Sequence, residues 1–292
     1  MAVPLCGGMK ADYERKDVEM SFSDCKSASA LLNFFDNDKR ALGHKNYYHY
    51  TSFSVAENIV KGKAFWMSQL CNTSNDAYEK KWYQDNGKYL FSLCFSTGSV
   101  ESIPLWYLYA RKEGTGARLI IPKTLMNRLW KYATFTLAET ESFSNRKRIV
   151  PGTEIQLKDD DFRKQFRDIL YVSRVDKEKG AYEGKDKTGV LRYNNEIIRI
   201  GANEIKGISE SYMHFVKNQI WYYEKESRLE VELLNHELIS EGKSYVICVD
   251  ISSIVDEIKV MIDPKVNSIE GYCDTISDKR VILSEYKGQF TI

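Results

Sequence analysis

The chain has 292 residues, and its 42 Lys plus Arg against 41 Asp plus Glu leave a formal net charge of +1, so no strong field steers it to nucleic acid or anionic lipid. A 43% hydrophobic and 28% charged content is that of a globular protein with a real core. Six dispersed cysteines (Cys6, Cys25, Cys71, Cys94, Cys248, Cys273) without a CxxC spacing, and four scattered histidines, offer no metal cluster and read as free thiols of a reducing compartment. The opening MAVPLCGG does not read as a signal peptide, and the longest apolar run, Leu105–Ala110, is too short to span a bilayer. A soluble, cytoplasmic protein that binds neither a metal nor a membrane is expected.

Residues 1–45 are polar around one helix candidate, Ser27–Phe35, and read as a peripheral segment before a single domain over 46–292. Tyr47–Thr51 is aromatic and β-branched, which suits a strand. Ser54 and Glu57 have the spacing of a capping box, and Val55, Ala56, Ile59 and Val60 continue at helical period. Gly62 is expected to end that helix because it tolerates positive φ, and Phe65–Met67 resumes an extended segment. The strand–helix–strand unit leaves His49, Thr51, Trp66 and Ser68 near strand ends, an arrangement able to hold a nucleotide.

Asn75 or Asp76 caps a further helix, with Glu79 three residues after Asp76, though cap residues are as readily structural as functional. Tyr89–Ser96 reads as a strand with Ser92, Cys94 and Ser96 on one face. Ser102–Glu113 reads as a helix whose stripe is Leu105, Leu108 and Tyr109, widened by Trp106, Tyr107 and Ala110. Gly116–Ile121 is then a strand and Pro122–Ala133 a helix. Between Glu139 and Gly189 the pattern weakens to charge runs of opposite sign, which read as solvated faces or loops, with strand candidates at Asp168–Val175 and Gly189–Tyr193. After an amphipathic helix, Ile208–Gln219, the period changes to two. Leu229, Val231 and Leu233 alternate with Arg228, Glu230 and Glu232, and the projection backward puts Glu224, Glu226 and Arg228 on one face. Ser244–Asp250, Glu257–Ile262 and Arg280–Ser284 are strands and Val266–Ile276 a helix by position. Short elements mixed without a βαβ rhythm predict an α+β fold with a mixed or split sheet and short flanking helices.

No GxGxxG, GxxxxGK[ST], GxSxG or HExxH is present, so the common dinucleotide, triphosphate, hydrolase and zinc chemistries lack support. What remains is an early His-Tyr-Thr strand and a late Glu-x-Glu. HYTS at His49–Ser52, FWMS at Phe65–Ser68, NDAYE at Asn75–Glu79, SLCFS at Ser92–Ser96, PLWYLYA at Pro104–Ala110, GARL at Gly116–Leu119 and WYYEKESRL at Trp221–Leu229 resemble, in order, one widespread bacterial domain-of-unknown-function family. Its pattern runs HYxS, WxS, NDPYE, SLSxS, WxxYA and WxYExExRL. Ala77 departs from the usual Pro, which loosens the turn and leaves Asn75 and Asp76 in place.

The opening unit is similar, more distantly, to the NAD-binding half of ADP-ribosyltransferases of the His-Tyr-Glu and DNA-modifying toxin kinds. That resemblance implies an ADP-ribosyltransferase-like fold and an NAD-dependent ADP-ribosyltransferase or NAD glycohydrolase, a toxin or anti-phage defence effector. NAD is the implied substrate and the macromolecular acceptor is left open. It further implies that His49, Tyr50 and Thr51 bind NAD with Trp66 and Ser68 nearby, and that Asn75 and Asp76 belong to the same site. Tyr107 or Tyr109 is the candidate to stack on nicotinamide, and Glu226, or else Glu224, the catalytic carboxylate. Arg118 or Arg228 suits a diphosphate in forked geometry.

Physical chemistry asks for such a carboxylate independently. Breaking the nicotinamide–ribose bond develops an oxocarbenium ion, as in glycoside hydrolysis, and a fixed anion stabilises it more in the transition state than in the ground state. Plainer accounts stand beside this one. His49 can be a hydrogen-bonded strand histidine, Arg228 can serve to orient Glu226, and Trp106 and Trp221 read as core. Composition alone favours an exposed ladder of opposite charges for Glu224, Glu226 and Arg228. A non-catalytic module that binds a nucleotide, nucleic acid or protein in the same groove is the alternative function, and a purely structural domain a third.

Overall fold

Short runs of β-branched and aromatic residues recur along the chain, and they gain stability only by pairing and by burying a face. In the computed structural model, which describes residues 21–72, 83, 87–111, 114–143, 146–173, 188–201, 204, 213–273, 276 and 280–288, these runs make an α+β fold with mixed sheets. In chain order the strands are β1 (Asn46–Ser52), β2 (Ala64–Gln69), β3 (Leu90–Ser96), β4 (Gly116–Pro122), β5 (Phe135–Phe143), β6 (Arg146–Ile149), β7 (Ile155–Gln156) and β8 (Phe162–Asp168). There follow β9 (Leu170–Val172), β10 (Thr188–Tyr193), β11 (Glu196–Gly201), β12 (Val216–Asn218), β13 (Glu226–Leu233), β14 (Ser244–Asp250), β15 (Lys259–Ile262) and β16 (Val281–Leu283). The large sheet runs β16-β15-β4-β1-β3-β2-β14-β5-β6, with β13 joining β3 to β8 and β7 beside β5; the small one runs β11-β10-β9-β12. Parallel pairs, β15 with β16 and β12 with β9, sit among antiparallel ones.

The feature that positions the site is a fork at β3. Along one edge β3 pairs with β13, from Ser96 opposite Glu226 to Leu90 opposite Glu232. Its other edge is shared. Ser96 meets Tyr48 of β1, whereas Ser92 meets Ser68 of β2. Continued inward, the two registers would set both Tyr50 and Trp66 opposite Cys94, so one strand must give way, and the sheet opens there.

Side chains on one face of the fork close the main core. Tyr47, Phe65, Phe91, Phe95, Leu229 and Val231 are all at most 1% exposed, and α2 (Phe53–Gly62) covers them with Ala56, Ile59 and Val60. Each such apolar side chain contributes about 1.5–3 kcal/mol on burial, an upper estimate. A second core forms where α1 (Ala28–Asn37) and Phe22 pack on the small sheet through Leu31, Phe34 and Phe35 against Leu191, Tyr193 and Ile200. The described part of the segment expected to be peripheral is therefore a core element.

Several local expectations are corrected. Helix α2 begins one residue before Ser54: Ser52 is the N-cap, its hydroxyl accepting from the Val55 N–H at 3.3 Å, because the strand delivers Ser52 in extended geometry. Lys63, not Gly62, carries the positive φ at its end (51°). The expected helix over Ser102–Glu113 becomes a short turn followed by a π-helix, Trp106–Ala110, in which the Arg111 N–H reaches back five residues to the Trp106 carbonyl at 3.0 Å. The wider turn breaks the 3.6-residue stripe, so Leu105, Trp106 and Ala110 point inward while Tyr107 and Leu108 face solvent. The end of β5 and strands β6, β7 and β8 occupy the stretch that read as solvated faces or loops, since pairing rather than composition makes them. Of the helix expected over Ile208–Gln219, the described part is a 3-10 turn and β12; Val266–Cys273 holds turns and no helix. The helix expected from Asn75 or Asp76 lies outside the described residues.

The π-helix can lie close on β4 only where β4 lacks a side chain. A Cβ on Gly116 would stand 2.8 Å from the Ala110 Cβ and 3.2 Å from both Trp106 and Asp263. Gly116→Ala is expected to destabilise the protein by about 1–3 kcal/mol, read as a lower denaturant midpoint with an unchanged slope.

Candidate functional site

Where the sheet forks, a cleft of about 310 Å³ opens on the face away from the main core. Strand alternation supplies its floor: Tyr48 and Tyr50 from β1, Trp66 and Ser68 from β2, Ser92, Cys94 and Ser96 from β3, Glu226 and Arg228 from β13. Tyr109 of the π-helix walls one side. The segment that carries β12 and the 3-10 helix Gln219–Glu224 walls the other with Lys217, Trp221 and Glu224. That 3-10 helix takes Glu224 off the strand, contrary to the backward projection of the period of two, and Lys225 makes the left-handed link (φ 43°).

Glu226 is 4% exposed and Arg228 2%, so the surface ladder is ruled out. Charges at this depth survive only when paired and hydrogen-bonded. Arg228 Nε donates to Glu226 Oε1 at 2.9 Å, while its Nη1 donates to the Tyr83 hydroxyl at 3.1 Å and the His214 carbonyl at 2.6 Å. Lys217 Nζ lies 2.5 Å from Glu226 Oε2 and 2.7 Å from Glu224 Oε2. The Tyr109 hydroxyl donates to Glu224 Oε1 at 2.5 Å. Burial works against the charge of Glu226, yet Arg228 and Lys217 outweigh it and hold the carboxyl well below the usual range. Burial wins at Glu224, with the neighbouring Glu226 charge adding to it, and its pKa is raised. Two adjacent carboxylates are thus driven apart in acidity, the pattern by which acid and base roles separate.

His49 fills the fork itself. Its Nδ1 donates to the Cys94 carbonyl at 3.0 Å, which leaves Nε2 as the unprotonated nitrogen. Burial lowers its pKa, so the ring stays neutral, edge-on to Phe65 at 5.6 Å and to Phe95 at 6.0 Å. The Cys94 thiol opens on the cleft, but burial and the Glu226 charge push it up to about 12.

Of the residues expected at a site, His49, Tyr50, Trp66, Ser68, Tyr109, Glu224, Glu226 and Arg228 line this one cleft. The others do not. Thr51 is buried beside Ala117 without reaching the cleft. Tyr107 turns outward, its ring 4.7 Å from the Arg111 guanidinium. Arg118 is 2% exposed, its guanidinium 3.6 Å from the Tyr48 ring centroid and donating to the Gly98 carbonyl, so it is not positioned to take a diphosphate. Asn75 and Asp76 lie outside the described residues. Trp221, expected in the core, lines the cleft, whereas Trp106 is core and donates to Glu101 at 3.1 Å. No local signal marks Lys217 as a site residue: a lone lysine in an amphipathic stretch is ordinary.

Among the described residues no three His, Cys, Asp or Glu side chains are grouped to hold a metal ion, and no helix is long and apolar enough to cross a membrane. The chain matches no protein-family model, no curated protein and no solved structure.

Two residues along β13 from Arg228, Glu230 is 3% exposed, its Oε2 3.7 Å from His214 Nδ1. Burial pushes its carboxyl up to about 7, against the pull of Arg228. The folded state therefore binds a proton that the unfolded chain has released, and stability falls as pH rises from about 4.5 to about 7. Glu230→Gln is expected to remove that fall, gaining up to about 3 kcal/mol over wild type at pH 8 and little at pH 4.5. Chemical denaturation of both proteins across that range measures the difference.

Proposed function

We propose that the cleft binds NAD and breaks its nicotinamide–ribose bond, which makes the chain an ADP-ribosyltransferase-like enzyme or an NAD glycohydrolase and its forked sheet the split sheet of that fold. One observation carries the reading: the early histidine and the late carboxylate line the same cleft, with Glu226 held ionised between aromatic walls. In this reading Glu226 accepts a hydrogen bond from a ribose hydroxyl as the glycosidic C–N bond opens. The bonding pair leaves with nicotinamide and neutralises its pyridinium charge, and the positive charge passes to the ribose. Water or a macromolecular nucleophile then forms the new bond and gives up its proton. Tyr109, Trp66 and Trp221 offer faces to the cationic ring, each worth about 0.5–2 kcal/mol.

The donor set suits the nicotinamide–ribose end of the molecule better than the diphosphate. Among the described residues the two cations that line the cleft, Lys217 and Arg228, are engaged by carboxylates. That engagement also favours a second reading, a nucleotide-binding module without turnover.

Nicotinamide release from NAD, followed by chromatography, separates the two. Turnover is expected, falling by about 10²–10³ in Glu226→Gln. Thermal stabilisation by NAD without release would support the binding module. No release with water, protein or nucleic acid as acceptor, and no response to the substitution, would sink the enzymatic reading.

A further inference from the structure

Among the described residues four charged groups meet in the cleft. Glu224 and Glu226 contribute two negative charges when ionised; Lys217 and Arg228 balance them. The two cations are not equivalent. Arg228 is 2% exposed and clamped by Glu226, Tyr83 and the His214 carbonyl behind the floor. Lys217 reaches in from β12, a three-residue strand at the end of the small sheet, and its ammonium sits between the two carboxylates on the cleft side. A lysine's four-carbon stem turns freely, so its head can leave without moving the backbone. Withdrawing it leaves one uncompensated negative charge beside Tyr109, Trp66 and Trp221, and low-dielectric surroundings make that charge costly.

Resting on the reading of the cleft as a pyridinium-nucleotide site, we propose that Lys217 is a displaceable internal cation: its ammonium stands where the cleft takes the positively charged ring of a ligand, and a cationic ring binds by replacing it. A neutral ring of the same shape restores no charge and cannot drive Lys217 out. Lys217 is thus a specificity-determining residue. It sets a threshold that the oxidised, cationic nicotinamide passes and an uncharged analogue does not.

Binding of the 1-methylnicotinamide cation and of neutral nicotinamide, measured by calorimetry, tests this without any bond breaking. Lys217→Met is expected to bind the cation roughly tenfold more tightly than wild type, the scale of one charge-assisted contact, with a smaller gain for neutral nicotinamide, which no longer meets the ammonium but balances no charge. Lys217→Arg, which keeps the competing charge, should stay at the wild-type value. Equal affinity of wild type and Lys217→Met for the cation, including no measurable binding by either, overturns the proposal, as does weaker binding by Lys217→Met. A readout on the unmodified protein guards against a variant that fails to fold. Saturating cation should speed acylation of the Lys217 amine, located by mass spectrometry, and an unchanged rate counts against displacement. Because neither measurement involves NAD turnover, an inactive protein that still shows the cation effect loses only the enzymatic reading, and an active one that lacks it loses only this inference.

Discussion

A β-strand edge can be paired once at each position, and β3 is asked to pair twice. Strands β1 and β2 both approach the same edge from opposite ends, at Ser96 and at Ser92, so the Cys94 carbonyl between them is reached by neither ladder. A main-chain acceptor left out of both ladders takes a donor from elsewhere. The His49 imidazole supplies it at 3.0 Å, and a side chain thereby replaces a strand. Because a ring spans more room than a backbone amide, the two strands stand apart, and the gap becomes the mouth of the cleft.

From that opening follows the electrostatics. On the floor, Glu226 and Arg228 face the cleft because alternate residues of β13, Leu229 and Val231, are claimed by the core. The burial that packs the core so well also desolvates this second face. The charges there persist because each carboxylate oxygen of Glu224 and Glu226 has a cation or hydroxyl against it. Such a cluster is weak evidence for stability, since apolar residues of similar volume would serve as well. A cleft that concentrates perturbed carboxylates beside aromatic rings is where a functional site is sought.

A π-helical turn and a left-handed lysine, Lys225, frame the same cleft. Departures of this kind cost free energy locally and persist only where the surroundings over-determine them. Here Gly116 and the Trp106 ring fix the π-turn against β4, which aims Tyr109 at Glu224. Thr97 fixes the other: its backbone N–H and its hydroxyl both donate to the Lys225 carbonyl.

Residue by residue, the chain's own pattern determined what depends on neighbours a few positions away. The strand at Tyr47–Thr51, the alternation of Leu229, Val231 and Leu233, and the helix at Ser27–Phe35 are visible because period and capping are local properties. Even several residues that line the cleft, His49 early and Glu224, Glu226 and Arg228 late, could be named from their motifs. Tertiary structure alone decided which of them meet. It buried Arg118 against Tyr48, turned Tyr107 outward through a π-turn that no periodicity announces, and brought Lys217 onto two carboxylates. It also turned an apparently solvated charge ladder into a buried one, since burial is set by what covers a strand face, and the covering segment lies elsewhere in the chain.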